Sequence, residues 1–379
     1  MSIYLDNAAT TKVLPEVKEE INKYLSDLYA NPSSIHEFGI EAKEVLTKAR
    51  TMIAESIGSE INEIIFTGSG TEANNFALKG LFFNNFPEKN HIVTTAIEHD
   101  CVLNACGWLE SRGAEVTYLK VDENGFVNPE ELEKAITEKT FIVSIMHGNN
   151  EIGTIQDLAL LAKICHDKGV LFHSDACQSF TKVPINVKEM QIDLLTINAH
   201  KIHGPKGVGA LYVKKGIKIS PLLHGGGQEF GLRSSTENVP GIMGFAKAVQ
   251  IANFENVKKI TTFRDNFIKK ILEIDKVKLN GPTGEQRLCN NINVSFFMLE
   301  GELIQGELSK KGIFVSTGSA CSSSSKATSH VMKAIECPME YLHGNIRISI
   351  SKETTEEELD EALKEIKIIV EKNNLKEIS

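Results

Sequence analysis

The 379-residue sequence has no C-x-x-C pair, no run of five basic residues and no apolar stretch long enough to span a membrane. Each absence removes a class of protein. Its seven cysteines, at 101, 106, 165, 177, 289, 321 and 337, form an odd set whose spacing fits neither a disulfide framework nor a structural zinc site. Free thiols in a reducing compartment, and no metal, are therefore expected. With a formal net charge of −9 and no basic block, the chain is a poor partner for nucleic acid, whose phosphates call for a basic surface. The opening text "MSIYLDNAATT" lacks a charged-then-apolar signal pattern, so a cytoplasmic protein without a membrane segment is expected. What remains is an ordinary globular composition, 41% hydrophobic and 24% charged. The chain is longer than one core usually supports, which favours two domains.

From about residue 60 to 215, β-rich runs alternate with helical text. "EIIFTG", "HIVTTA", "EVTYLKV", "TFIVSIMH", "VLFHSDA", "DLLTINAH" and "GALYV" read as buried strands. "DLALLAKICHDKG" reads as a helix between two of them, ended by Gly169. Such alternation implies an α/β fold with a mostly parallel sheet between helices. The stretch from Pro240 to about Ile274 has apolar residues at helical spacing and few breakers, and reads as a bridge between domains. Beyond it, "NNINVSFF", "GELIQGELSKKG" and "IRISIS" precede the helix "TTEEELDEALKEIKIIVEK", where Thr354 and Glu357 stand at capping-box spacing. That part reads as a smaller α+β domain. In open parallel sheets ligands bind beyond the carboxyl ends of strands, so the chemistry is expected in residues that follow strands.

"IIFTGSGTEANNFALKG" is a strand, a glycine-rich turn and a helix. Gly68 and Gly70 let the backbone approach an anion, and the helix N-terminus would hold a phosphate near Thr71. Gly68-x-Gly70-x-x-Ala73 also fits a dinucleotide fingerprint, with Glu98 ending the next strand, and a tight turn without ligand is a third reading. No Walker lysine follows. In "LLTINAHKIHGPKGVGALYV", Lys201 comes directly after a strand, where a desolvated amine can serve as a Schiff-base nucleophile; Lys206 reads as solvated or structural. Asp175 ends another strand in "LFHSDACQ", where the plain alternative is a helix N-cap. Anion loop, strand-end aspartate and strand-end lysine together suit pyridoxal phosphate, with Asp175 on the ring nitrogen and Lys201 on the aldehyde. His99 in "AIEHDC" either stacks on that ring and transfers protons or is a half-buried histidine satisfied by the backbone. Six cysteines lie in apolar or mixed text and are expected to be buried. Cys321, in "STGSACSSSSKATSHVM", has only small polar neighbours and no core to join.

"YLDNAATT", "NPSSIH", "TEANN", "NNEIGTIQ", "HKIHGPKGVGALYV", "GGGQE", "STEN", "STGSACSS" and "SHVM" occur in this order and closely resemble the NifS/IscS-like cysteine desulfurases. These belong to the class V aminotransferase family of fold-type I pyridoxal-phosphate enzymes. The resemblance runs from residue 4 to about residue 360. It implies a large domain over residues 14–255, with a mostly parallel seven-stranded sheet, and a small domain from residues 1–13 with 256–379. It also implies pyridoxal 5'-phosphate as cofactor and L-cysteine as substrate. By similarity Lys201 holds the aldehyde, Asp175 meets the ring nitrogen, His99 stacks as acid-base residue and Gln178 donates to the ring hydroxyl oxygen. Gly70, Thr71, His200 and Asn198 line the phosphate, and Thr236 reaches it from a second subunit of a homodimer. Asn31, Asn150 and Arg347 clamp the substrate carboxylate; without the resemblance, Arg347 reads as a surface or interdomain salt-bridge residue.

The same resemblance answers why Cys321 stands among serines. Its thiolate would take the substrate's sulfur as a persulfide, release alanine, and pass the sulfur to an acceptor protein, an iron-sulfur scaffold or a tRNA-thiolation enzyme. A serine-rich loop, about 316–329, is expected to swing between the two places, anchored beyond Ser329 by His330 and the next helix. The sequence departs from the family in three places: Asn198 stands where serine is usual, Ser235 where glycine is usual, and the loop lacks the common glycine and Glu-Pro pair. A selenocysteine lyase or aminotransferase on this scaffold, and a non-catalytic docking module, are the competing readings.

Overall fold

The computed structural model describes residues 2–318 and 328–374. In chain order the first part contains β1 (Ile3–Tyr4), α1 (Pro15–Ser26), α2 (Glu37–Ser56), β2 (Ile64–Thr67), α3 (Gly70–Asn85), β3 (His91–Thr95), α4 (Asp100–Glu110) and β4 (Glu115–Leu119). It continues with α5 (Pro129–Ala135), β5 (Thr140–Ser144), α6 (Leu158–Asp167), β6 (Leu171–Asp175), β7 (Leu194–Asn198), β8 (Gly209–Val213) and α7 (Val239–Ile251). The remainder comprises α8 (Phe254–Ile271), β9 (Val277–Leu279), β10 (Asn291–Phe296), α9 (Gly301–Lys310), β11 (Ile313–Phe314), α10 (His330–Ala334), α11 (Met339–Leu342), β12 (Asn345–Ser349) and α12 (Glu356–Asn374).

Strands β2 to β8 form one seven-stranded sheet in the order β2-β8-β7-β6-β5-β3-β4. Only β8 runs against its neighbours, so every other strand of the sheet ends at the same edge. β2, β3, β5, β7 and β8 are buried at every residue, as strands covered on both faces must be. One face packs on α1, α2, α6 and α7 through residues such as Val17, Ile53, Leu161 and Phe245. The other packs on α3 and α4 through Phe76, Leu81, Val102 and Leu109. A second core gathers Leu5 with α8, α9, α12 and the β12-β10-β9 sheet, around Phe267, Ile304, Phe296 and Ile366. β1 reaches it by pairing in parallel with β11. A third apolar cluster joins the two parts, setting Ile97, Met146 and Ile152 against Val331, Met332 and Ile335.

Two elements differ from the sequence expectation. The helical text from Pro240 to Ile274 is two helices, because Asn253 leaves the helix and its side chain accepts from Asn256 N–H to begin α8. α7 serves the sheet and α8 the second core. The cap of α12 lies one residue later than read: Thr355 and Glu358 exchange side-chain and backbone bonds at 3.2 and 3.0 Å. Thr354 Oγ1 instead accepts from Ser351 N–H at 2.9 Å, closing the preceding turn.

Candidate active site

The common edge of the parallel strands lines a cavity of about 230 Å³. Gly70 and Thr71 enter it after β2, His99 after β3, Asn150 after β5, Asp175 and Gln178 at the end of β6, and Asn198, His200 and Lys201 at the end of β7. Arg347 comes in from β12. Most of the residues singled out in the sequence thus meet in one place.

At one end lies the start of α3. Ser69 caps it by accepting from Glu72 N–H at 3.0 Å, leaving the first amides, those of Gly70 and Thr71, without helical carbonyls to bond. Gly70 is required here, since a Cβ would lie 2.5 Å from Cys177 Sγ and 3.3 Å from Asn198 Nδ2. Asn198 Oδ1 is buried without a hydrogen-bond partner. His200 Nδ1 stands 3.2 Å from Thr10 Oγ1. Burial, then the nearby lysines 201, 206 and 182, drive the His200 pKa to about 4, so its ring is neutral.

In the middle, Asp175 accepts from Asn74 Nδ2 at 2.6 Å and from Cys177 N–H at 2.9 Å. Burial opposes its charge, but His99, the Cys177 N–H, Lys201 and Asn74 outweigh burial and hold its pKa below the usual carboxylate value. His99 both lines the cavity and caps α4: its Nδ1 accepts from Cys101 N–H at 3.1 Å, with Cys101 Sγ at 3.0 Å. That bond places the ring proton on Nε2. Burial, then Lys201, lowers the His99 pKa. Cys101 departs from the expectation of plain burial: it lines the cavity, and burial followed by Asp175 pushes its thiol up to about 12. Gln178 Nε2 donates to Ala8 O at 2.9 Å.

At the far end, Arg347 donates to Asn150 O at 3.1 Å and pairs with Asp6 Oδ1 at 2.8 Å, while its Nε is buried without a partner. It is thus both a salt-bridge residue and part of the cavity wall. Asn31 and Thr236 are exposed and do not line this cavity. Cys321 lies outside the described residues. Glu98 is fully buried, accepting from Thr95 Oγ1 at 2.7 Å and Met146 N–H at 2.9 Å, which closes it to a ribose and removes the dinucleotide reading. Among the described residues no cluster of side chains could hold a metal ion. Sequence reasoning missed Asn74, Cys101, Cys177 and Asp6. Asn74 alone had a signal, one helical turn after Gly70 on the same face of α3.

This donor set fits pyridoxal phosphate. Helix-start amides and the Asn198 Nδ2 donor beside Gly70 suit the phosphate, ionised Asp175 suits a protonated ring nitrogen, and Lys201 supplies an amine. The fold and the site define a fold-type I pyridoxal-phosphate enzyme. Residues 3–362 match the family described as aminotransferase class-V. The chain is 49% identical to a protein of Dictyoglomus turgidum named cysteine desulfurase IscS, over 98% of this chain and 95% of that one. A Methanosarcina thermophila protein of the same name is 48% identical, over 98% and 92%. Among solved structures, a NifS-like protein superposes with a TM-score of 0.92 at 40% identity, covering 98% of this chain and all, 100%, of the other. SspA in complex with cysteine gives 0.84 at 38%, covering 93% and 100%. The chain belongs to the class-V aminotransferase family, within its cysteine desulfurases.

Proposed function

We propose that this protein removes sulfur from L-cysteine, releasing L-alanine and retaining the sulfur as a persulfide on Cys321. The observation that carries the reading is the convergence of Lys201, Asp175, His99 and Arg347 on one cavity. Pyridoxal phosphate, when bound, supplies an aldehyde for the substrate amine and an electron sink for the carbon beside it. Gly70, Thr71, Asn198 and His200 would hold its phosphate. Asp175, kept ionised, would hold a proton on the ring nitrogen. Lys201 would supply the amine for the aldehyde and move a proton at the substrate α-carbon. His99, with its ring proton on Nε2, would face the ring and move protons there. Gln178 orients the ring hydroxyl, and Arg347 with Asn150 binds the substrate carboxylate.

Sulfur transfer is the work of a thiolate. The Cys321 sulfur attacks the substrate sulfur; that S–C bond breaks, its electron pair goes to carbon, and a proton completes the methyl group of alanine. Gly318 lies beside Glu151, the neighbour of Asn150 in the cavity wall. Thr236, exposed and outside this cavity, is suited to a second copy's site, so we read the enzyme as a homodimer. Persulfide chemistry needs reduced thiols, which suits the cytoplasm. No described helix is long and apolar enough to cross a membrane. The persulfide's destination is an acceptor protein for iron-sulfur assembly or tRNA thiolation.

Replacement of Cys321 by alanine is the test. The variant is expected to keep its yellow cofactor and to lose alanine release and bound sulfur. Full turnover without Cys321 would remove the persulfide mechanism.

A further inference from the structure

The turn between β5 and α6 carries a buried acid that none of these steps uses. Glu151 is 3% exposed and directly follows Asn150. Its Oε2 accepts from Ser329 Oγ at 2.6 Å. Because that hydroxyl oxygen itself accepts from Met332 N–H at 3.1 Å, its proton belongs to the Glu151 bond. The other stem of the Cys321 segment meets the same oxygen: a Cβ at Gly318 would collide with Glu151 Oε2. Gly318 N–H donates to Asn345 Oδ1 at 3.1 Å, and Asn345 Nδ2 to Asn293 Oδ1 at 2.5 Å. Asn291 and Asn293 both donate to the Glu151 carbonyl, at 2.8 and 3.0 Å, and the Glu151 N–H rests on Asn149 Oδ1 at 2.9 Å.

Positions 318 and 329 therefore lie against one carboxyl, while asparagines of β10 hold the Glu151 backbone and Asn345 of β12 holds the Gly318 N–H. A buried carboxyl is costly and persists where its partners compensate it. Its backbone is held independently of its side chain, so the side chain is free to serve the two stems. On its other side, Asn150 accepts from the arginine assigned to the substrate carboxylate.

We propose that Glu151 is a positioning residue for sulfur transfer, hydrogen-bonding one stem of the Cys321 segment at Ser329 to the turn that lines the substrate cavity and packing against the other at Gly318. The proposal rests on the reading that Cys321 receives the sulfur. Without that bond the Ser329 stem loses its anchor on the turn and the thiol's effective concentration at the substrate falls, while the cavity that binds cysteine stays intact. A misplacement of about 1 Å can cost roughly a hundredfold in rate.

The test uses full-length holoenzyme and single turnover with L-cysteine. Binding is read from the cofactor's visible band on titration, and transfer from the rate at which mass spectrometry finds sulfur on Cys321. Glu151→Ala is expected to bind cysteine within about twofold of the wild type and to transfer sulfur about a hundredfold more slowly. Glu151→Gln, which keeps an acceptor for Ser329, is expected to recover most of the rate. Ser329→Ala, which leaves Glu151 in place, is expected to slow transfer about tenfold with binding unchanged; it carries the comparison if Glu151→Ala loses cofactor. Transfer at the wild-type rate in both alanine variants overturns the proposal. So does an equal loss of binding and transfer, which would mark a general collapse of the site. No sulfur on Cys321 in the wild type removes the functional reading and the anchor together, whereas a wild-type rate in the variants removes the anchor alone.

Discussion

Asp175 and Glu98 are two buried carboxyls close to one cavity, and their surroundings push them apart. Asp175 has His99, an N–H, Lys201 and Asn74 to offset its burial and stays ionised. Glu98 has only the Met146 N–H and Thr95 against burial, which raises its pKa to about 8 and keeps it protonated at neutral pH. Asp175 is thus the carboxylate that stays charged in the cavity wall. Asp175→Asn is expected to lower kcat at least about a hundredfold, with KM for cysteine little changed, as measured by alanine release. Arg347 makes the complementary case. Lysine cannot reproduce a guanidinium held by both Asp6 and Asn150 in the cavity wall, on which the proposed carboxylate clamp rests. Arg347→Lys is expected to raise KM roughly ten- to a hundredfold, the 1.5–3 kcal/mol of a charge-assisted hydrogen bond.

The elements of the fold were legible where hydrophobic pattern decides them and illegible where a single side-chain contact does. Fully buried strands such as "DLLTINAH" announce themselves, and their order in the sequence alone puts Asp175 and Lys201 at one sheet edge. The division between α7 and α8 turns on the Asn253 cap, which an unbroken apolar pattern hides. The α12 cap turns on which of two adjacent threonines faces the helix, and Ser351 takes Thr354. Thr355→Ala is therefore expected to cost about 1 kcal/mol in a denaturant titration, through loss of the cap to α12. An equal or larger loss in Thr354→Ala alone would contradict that assignment. The site follows the same division. Strand-end residues could be read from sequence, but Asn74, Cys101, Cys177 and Asp6 join it only through tertiary approach.

For the molecule as a whole, buried titratable groups set a pH window. Burial drives His147 and His173 from the usual 6.5 to about 4. Their folded pKa lies below the unfolded one, so the unfolded chain binds more protons between the two values. The stability they contribute is full above about pH 6.5 and is lost as pH falls toward about 4, by up to about 1.4 kcal/mol per pH unit for each group. Glu98 acts in the opposite sense, since burial raises it from 4.5 to about 8. Its contribution is full below about pH 4.5 and is lost as pH rises toward 8. Between about pH 4.5 and 6.5 His147 and His173, with His200 also driven to about 4, outweigh Glu98; above 6.5 Glu98 carries the decline, and burial raises Glu151 in the same sense. Stability of the holoenzyme is expected to peak near pH 6.5 and to decline from there to pH 8, read as the urea midpoint across pH 5–8. Glu98→Gln keeps the shape, cannot ionise, and is expected to abolish the decline above 6.5 while leaving the acid side in place. A wild-type midpoint that stays level from 6.5 to 8, or a decline that persists in the variant, would show that Glu98 does not govern the alkaline side.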